Sequence, residues 1–219
     1  MMQIEIFTVN PFYENTYILH DETGEGIIID PGMYTATEQT TIKEFVAKHA
    51  IQLQAIVNTH GHIDHVMGVE WCRQEYGIPF HMNEKDLVNI EALEMKAQMF
   101  GVSMQEVNAP EHFIQEGENV RFGNTELEVL FTPGHAPGHV VFVNHQQQVV
   151  IGGDVLFKGS VGRVDLPYCD PAALEKSIRE KLYQLPDTYQ VYPGHGPSTT
   201  IGIEKRSNPF VNEKQSSLL

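Results

Sequence analysis

The order of strand-like and helical patterns predicts an α+β fold, in which two β-sheets pack face to face and carry helices on their outer faces. Two observations lead to this prediction. In each half of the chain, short segments rich in β-branched residues and bounded by Gly, Asn or Pro come first, and a helical pattern follows. Strands and helices also fail to alternate strictly, as they would in a parallel doubly wound sheet.

The individual elements follow from the spacing of apolar residues. Strands are predicted at 4–9, 15–19, 26–30, 53–58 and near Pro79, and then at 120–122, 126–131, 140–143, 149–151 and 189–192. Helices are predicted over 37–49, 65–76, 85–100 and 172–185. We therefore expect one domain over residues 1–210, with similar halves at 1–110 and 111–210, and a frayed polar tail at 211–219.

Composition is typical of a soluble globular protein. The 219 residues are 41% hydrophobic and 20% charged, and none of the apolar runs is long enough to span a bilayer. The opening Met1-Met2-Gln3-Ile4 lacks the basic and apolar segments of a secretory signal. The two cysteines are Cys72, expected in the core, and Cys169, expected in a loop. This cysteine usage favours the cytoplasm.

The charge balance disfavours one class of partner. Against 29 Asp and Glu there are 14 Lys and Arg, so the formal net charge is −15. A field of that sign repels phosphate backbones, so we do not expect nucleic acid as a partner. Because no apolar run is long enough to span a bilayer, we do not expect a membrane partner either. A small anionic substrate responds to local charges and is compatible with this balance. The oligomeric state is not determined by the sequence.

A histidine-rich segment follows the predicted strand at 53–58. His60, His62, Asp64 and His65 place three imidazoles and one carboxylate within six residues. His60 and His62 are two residues apart, so in an extended segment they point to the same side. These ligand types suit Zn²⁺, Fe or Mn²⁺. A solvated histidine-rich turn is the alternative, but four adjacent ligand types after a buried strand favour a metal site.

Three later segments supply further ligand types, each at the end of a predicted strand. They are Thr132-Pro133-Gly134-His135-Ala136-Pro137-Gly138-His139, Gly152-Gly153-Asp154 and Tyr192-Pro193-Gly194-His195-Gly196. Each alone is typical of a turn. Together they place ligand-type side chains where loops converge, and both His135 and His139 are candidates.

In this order and spacing, the four motifs resemble those of the metallo-β-lactamase superfamily. Within it, the chain is similar to the small glyoxalase II-like proteins, the hydroxyacylglutathione hydrolases. The resemblance covers about residues 3–210. It implies an αββα sandwich of two mixed β-sheets in two pseudo-symmetric halves.

The resemblance also implies a ligand set for two divalent ions, with zinc expected and iron or manganese also suited to it. The first ion would be held by His60, His62 and His135, and the second by Asp64, His65 and His195. Asp154 would bridge the two ions. His139 would bind neither ion and would orient the ligands or the substrate. The implied activity is hydrolysis of a thioester or related acyl compound by a hydroxide bridging the ions, with Asp64 handling its proton.

Substrate recognition is expected in the segment after Asp154. Arg163 matches a basic residue of glyoxalase II and is predicted to clamp a carboxylate of a small anionic acyl thioester. Asp165 stands where the family has an aromatic residue, and pairing of Arg163 with Asp165 is the alternative. Larger glyoxalase II enzymes continue into a helical C-terminal domain that completes their glutathione site. Recognition of glutathione by this chain therefore stays open.

Other activities of the same superfamily are weighed against this pattern. Persulfide dioxygenases hold a single iron on residues corresponding to His60, His135 and Asp154, but they have Cys where His139 stands, which favours a hydrolase. Lactone or other ester hydrolysis stays open. An exported β-lactamase and a basic RNA-processing nuclease fit less well. A purely structural site is disfavoured because structural zinc is usually held in a closed tetrahedral set dominated by thiolates.

Overall fold

The computed structural model describes residues 1–213. Its contacts divide the chain into two compact units. The first unit contains residues 1–114 and 121–126, and the second contains residues 115–120 and the chain from 127 onward.

Both units contain strands and helices. The strands are β1 (Gln3–Val9), β2 (Glu14–His20), β3 (Glu25–Ile29), β4 (Gln52–Val57), β5 (Phe80–Met82), β6 (His112–Phe113), β7 (Asn119–Phe122), β8 (Thr125–Phe131), β9 (Val140–Asn144), β10 (Val149–Gly153), β11 (Leu156–Phe157), β12 (Ser160–Val161), β13 (Gln190–Pro193) and β14 (Thr199–Thr200). The helices are α1 (Ala36–Lys48), α2 (Ile63–Val66), α3 (Val69–Tyr76), α4 (Leu87–Glu91), α5 (Leu93–Phe100), α6 (Pro171–Glu180) and α7 (Ile201–Ser207), with 3₁₀ turns at Glu84–Asp86 and Leu182–Gln184.

The first unit holds a six-stranded mixed sheet in the order β1-β2-β3-β4-β5-β6. The first three strands are antiparallel neighbours, and β3 to β6 are parallel. Every residue of β2 is buried, and β3 is buried from Gly26 to Ile29, which suits central strands. Helix α1 makes the crossover from β3 to β4, and Thr35 and Glu38 form a capping box at its start.

The second sheet is also mixed and runs in the order β14-β13-β10-β9-β8-β7. Strand β10 lies between an antiparallel neighbour, β9, and a parallel neighbour, β13. Helix α6 begins at Pro171, and the Asp170 carboxylate caps it by accepting the amide hydrogen of Ala173. The parallel pairing matters for the site because β10 and β13 end side by side.

Each unit has its own apolar core. In the first, Ile18, Ile28, Ile56 and Phe80 are fully buried. Cys72 belongs to this core, as predicted, and burial raises the pKa of its thiol. In the second unit, side chains of β9, β10, β13 and α6 form the core. The α+β class and the two mixed sheets predicted from the sequence are confirmed.

The observed elements differ from the predicted ones at several points. The helix predicted over 65–76 is two helices, because the Gly68 amide donates to the Pro31 carbonyl at 2.7 Å and breaks the helix. The helix predicted over 85–100 is a 3₁₀ turn followed by α4 and α5, and the one predicted over 172–185 ends at Glu180. The sequence analysis also missed β6, β11, β12, β14 and α7, all short.

The start of the predicted polar tail is packed. Val211 is fully buried, the carbonyl of Asn212 accepts a hydrogen bond from Arg179 at 3.1 Å, and the amide of Glu213 donates to Lys205 at 2.9 Å. The rest of the predicted tail, residues 214–219, lies outside the described residues. Within residues 1–213, none of the helices is both long and apolar enough to cross a membrane.

A buried carboxylate holds the turn after β2. Asp21 accepts hydrogen bonds from the Thr23 amide at 3.0 Å, the Asn124 amide at 2.7 Å and the Thr125 hydroxyl at 2.9 Å. Burial alone would raise the pKa of Asp21, but these bonds outweigh it and lower the pKa from 3.8 to about 2. The ionised carboxylate of Asp21 therefore stabilises the first unit.

We expect Asp21→Asn to lower the free energy of unfolding at neutral pH and to lose that effect in acid. Because the folded-state pKa is depressed, the stabilisation is present above pH 3.8 and is lost as the pH falls toward about 2. Urea unfolding of the metal-free wild type and variant, compared between neutral pH and about pH 3, measures the difference. A difference that stays constant across this range would contradict the assignment.

Candidate metal centre

The first ligand set comprises His60, His62, Asp64 and His65 and lies in the first unit, directly after β4. All three imidazoles are buried. The ring centroid of His60 lies 4.7 Å from that of His62 and 4.2 Å from that of His65. Helix α2 begins after His62 and brings the Asp64 Oδ2 to 3.8 Å from the His65 Nε2. The structure therefore brings these four predicted ligands together.

Asp30, at the end of β3, orients the rings of this set. Its Oδ1 accepts the Thr59 amide at 2.7 Å, and its Oδ2 accepts the Thr59 hydroxyl at 2.6 Å and the His65 Nδ1 at 3.1 Å. Since the Thr59 hydroxyl gives its hydrogen to Asp30, it accepts from the His60 Nδ1, 3.0 Å away. His60 and His65 therefore carry their hydrogens on Nδ1 and present Nε2 as the ligand atom.

The backbone around Asp30 allows no larger residue at position 32. A Cβ on Gly32 would stand 2.3 Å from the Asp64 carbonyl oxygen and 2.3 Å from the Glu14 Oε2. The Asn10 side-chain amide donates to the carbonyls of Gly32 at 3.0 Å and Asp64 at 2.9 Å. The turn after β3 and the ligand segment after β4 are thus locked together.

A second buried acid, Glu14, lies beside the Nδ1 of the His65 ring. Its Oε2 accepts the Thr16 hydroxyl at 2.8 Å, and its Oε1 is 3.8 Å from the His65 Nδ1. Burial raises the pKa of Glu14 well above its usual value; His65 opposes this, and the carboxylates of Asp30 and Asp64 add to it. Glu14 is therefore a third acidic side chain beside His65, together with Asp30 and Asp64.

The second ligand set comprises His135, Asp154 and His195 and lies in the second unit. Asp154 and His195 follow the parallel neighbours β10 and β13, and His135 lies in the connection between β8 and β9. The Asp154 Oδ2 is 3.4 Å from the His135 Nε2 and 3.6 Å from the His195 Nε2. Both distances exceed those of ordinary N–H···O bonds, roughly 2.7–3.2 Å. They suit nitrogens and an oxygen directed at a common ion.

His139 uses both ring nitrogens within the second unit. The amide of Asp154 donates to its Nε2 at 3.0 Å, so the ring is neutral and its Nδ1 donates to the Thr132 hydroxyl at 3.1 Å. In this arrangement the ring offers no nitrogen to a metal. It instead fixes the backbone at Asp154.

His135 is fixed from two sides by the loop that follows Asp154. Its Nδ1 donates to the Arg163 carbonyl at 2.9 Å, which leaves Nε2 directed at Asp154. The Cys169 thiol, expected only as a loop or packing residue, donates to the His135 carbonyl at 3.0 Å. Residues 163–169 therefore hold both the ring and the backbone of this ligand.

The donor atoms fit a divalent ion of intermediate hardness. They are imidazole nitrogens and carboxylate oxygens, and the hydrogen bonds on Nδ1 of His60, His65 and His135 are those that metal-binding histidines make. Zinc, iron and manganese all accept such a set.

Comparison with known proteins agrees with this geometry. The model of the metallo-β-lactamase superfamily matches residues 9–195. The chain belongs to the metallo-β-lactamase superfamily. It is 40% identical to the hydroxyacylglutathione hydrolase GloC of Haemophilus influenzae, over 97% of this chain and 100% of that one.

Two solved structures share the fold. The di-iron-bound form of TTHA1623 matches with a TM-score of 0.84 and 37% identity, over 94% of this chain and 100% of that one. The BLEG-1 B3 metallo-β-lactamase matches with a TM-score of 0.87 and 31% identity, over 95% of this chain and 99% of that one. The metallo-β-lactamase fold expected from the motifs is thereby confirmed, and a metal-dependent hydrolase is supported.

The residue expected to bind substrate is paired in this member of the superfamily. Arg163 donates to Asp165 through Nε at 2.7 Å and through Nη2 at 2.9 Å, and both side chains are exposed. Because solvent screens an exposed pair of this kind, the pair contributes little to stability. The pairing weighed as an alternative in the sequence analysis is present, and it presents the guanidinium at the surface.

Two further acids of the metallo-β-lactamase site, Asp30 and Glu14, are not among the residues predicted from the sequence. Asp30 gave a usable signal, because it is a carboxylate at the end of an apolar strand, directly before Pro31-Gly32. Glu14 gave none, since its close approach to Gly32 and its distance to His65 are set by the folded chain.

We expect Gly162→Ala to disturb Asp154. The added Cβ would stand 1.9 Å from the Asp154 carbonyl oxygen and 3.1 Å from the His135 Cβ. The backbone must move, and the variant should retain less metal per chain after dialysis and have a lower Tm.

Gly159→Ala is the control for this variant, because its Cβ would meet open space although φ is +69°. Mass-spectrometric metal analysis compares the two proteins. Equal metal content in both would show that the contact with Asp154 is unimportant.

Proposed function

We propose that this protein is a dinuclear metal-dependent hydrolase of thioesters or related acyl compounds, of the hydroxyacylglutathione hydrolase type. The observation that carries the proposal is the pair of ligand sets, each with a carboxylate oxygen within 3.8 Å of an imidazole Nε2. The full-length similarity to a protein named as a hydroxyacylglutathione hydrolase supports the substrate class.

The assignment of ligands to ions is part of this proposal. His60, His62 and His135 hold one ion, Asp64, His65 and His195 hold the other, and Asp154 bridges them. Zinc is the proposed metal, and iron is the alternative because a similar structure is di-iron-bound.

The chain's own residues prepare the site for acyl hydrolysis. Divalent ions at such a site supply an activated water at neutral pH and polarise a substrate carbonyl. Asp30 and Thr59 fix the ring orientation of His60 and His65. Asp64 is partly exposed, and its carboxylate accepts the proton of the attacking water.

Location and substrate charge are also proposed. We place the reaction in the cytoplasm, where the thiols of Cys72 and Cys169 stay reduced. The substrate is a small anionic acyl thioester, and the exposed guanidinium of Arg163 binds its carboxylate.

Thiol release from S-D-lactoylglutathione tests the activity. The purified protein, loaded with zinc or with iron and analysed for metal, should release thiol with about two ions per chain. A β-lactam, a lactone and glutathione persulfide serve as competing substrates. If the protein turns over one of these compounds and releases no thiol from S-D-lactoylglutathione, the proposed substrate class is wrong.

Asp154→Asn tests the bridging role in the same assay. Because an amide is a poor bridging ligand, we expect both metal content and thiol release to fall. Asp170→Asn is the control, since Asn also caps a helix and the cap of α6 lies outside the ligand set. A variant of Asp154 with two ions and full activity would overturn the assignment.

We expect Arg163→Ala to raise KM for an anionic thioester more than for a neutral ester. Asp165→Asn should have the opposite effect on the anionic substrate, because it releases the guanidinium from its partner. Steady-state kinetics of both variants on both substrates measure this. Equal changes in KM for the two substrates would show that the Arg163–Asp165 pair only stabilises the loop.

A further inference from the structure

A buried carboxylate outside both ligand sets contacts the backbone between two ligands. Asp86 ends the 3₁₀ turn before α4 and is fully inaccessible to solvent. Its Oδ2 accepts a hydrogen bond from the amide of Gly61, the residue between His60 and His62. Asp86 thus fixes the segment that sets the spacing of these two imidazoles.

The close packing of Gly61 strengthens this connection. A Cβ there would lie 3.2 Å from the Asp86 carbonyl oxygen, 3.3 Å from the Asn89 Cβ and 3.3 Å from the Ile90 Cδ1. The ligand segment therefore lies directly on the start of α4. A backbone amide in such a place needs an acceptor, and an ionised acceptor binds it more strongly than a neutral one.

Two further residues hold the carboxylate in place. The Asn89 side-chain amide donates to the Asp86 Oδ1 at 3.2 Å, and the Lys96 ammonium, on α5, donates to the Asn89 Oδ1 at 2.8 Å. Asp86 occupies the N-cap position of α4, yet its side chain makes no capping bond to that helix. Its carboxylate therefore serves the ligand segment and not the helix end.

We propose that Asp86 is a positioning residue of the metal centre, fixed in turn by Asn89 and Lys96. This inference rests on the proposed metal site and is independent of the substrate. Its consequence is that zinc affinity depends on the Lys96 ammonium on α5, which acts through Asn89.

The substitution Asp86→Asn tests which groups donate and which accept in this chain of hydrogen bonds. In Asp86→Asn, the new amide group faces either the Gly61 amide or the Asn89 amide, so two donors meet. Rotation of Asn89 only moves the conflict to Lys96. Zinc affinity should fall about 10- to 100-fold, as for other residues that support metal ligands.

Removal of the ammonium should relieve part of this conflict. Lys96→Met alone should weaken zinc binding by a few-fold, but combined with Asp86→Asn it should bind zinc more tightly than Asp86→Asn alone, because Asn89 is then able to rotate. Competition with a chromophoric chelator measures affinity, and the visible spectrum of the cobalt form reports ligand geometry.

Asp21→Asn is the matched control, because Asp21 is a buried carboxylate of the same unit that accepts backbone amides away from the ligands. Its zinc affinity and cobalt spectrum should match the wild type. Unchanged affinity in Asp86→Asn would overturn the inference. If that variant does not fold, unchanged affinity in Lys96→Met would do so. A wild type that binds two zinc ions without releasing thiol would refute the proposed activity and leave this inference standing.

Discussion

The hydrogen bonds to Asp30 are the interaction on which the first ligand set depends. One carboxylate, at the end of β3, accepts the amide and hydroxyl of Thr59 and the Nδ1 of His65, and through Thr59 it also fixes His60. Parallel pairing of β3 with β4 brings the ends of these strands together, so Asp30 reaches the segment after β4. Ring orientation is therefore set by the sheet and not by the loop alone.

In the second unit, different groups orient the ligands. A backbone carbonyl, that of Arg163, takes the place of a carboxylate in orienting His135. A neutral imidazole, His139, fixes the amide of Asp154. Parallel pairing of β10 with β13 again brings two strand ends together, and it places Asp154 next to His195. In both units the ligands follow strands, and the groups that orient them come from neighbouring segments.

The ligands follow strands, whereas the groups that orient them come from distant segments. This difference explains which site residues can be predicted from the sequence. His60, His62, Asp64 and His65 share one turn, so local spacing reveals them. The position of Asp30 after an apolar strand is visible in the sequence, but its bonds to Thr59 and His65, about 30 residues away, are visible only in the folded chain. The break between α2 and α3 was missed too, because it depends on a hydrogen bond between Gly68 and the distant Pro31. Short elements such as β14 and α7 carry too few residues for a periodic pattern.

Four acidic side chains lie around the first ligand set. Glu14, Asp30, Asp64 and Asp86 surround this segment, while the His60 and His65 rings are held with their hydrogens on Nδ1. The Lys96 ammonium donates to the Asn89 side chain, which in turn donates to Asp86. Buried carboxylates are costly without nearby positive charge, and bound divalent ions supply it. Because the same carboxylates lock the ligand segment, charge compensation and ring orientation are provided by one set of residues, and ions meet ligands that are already in place.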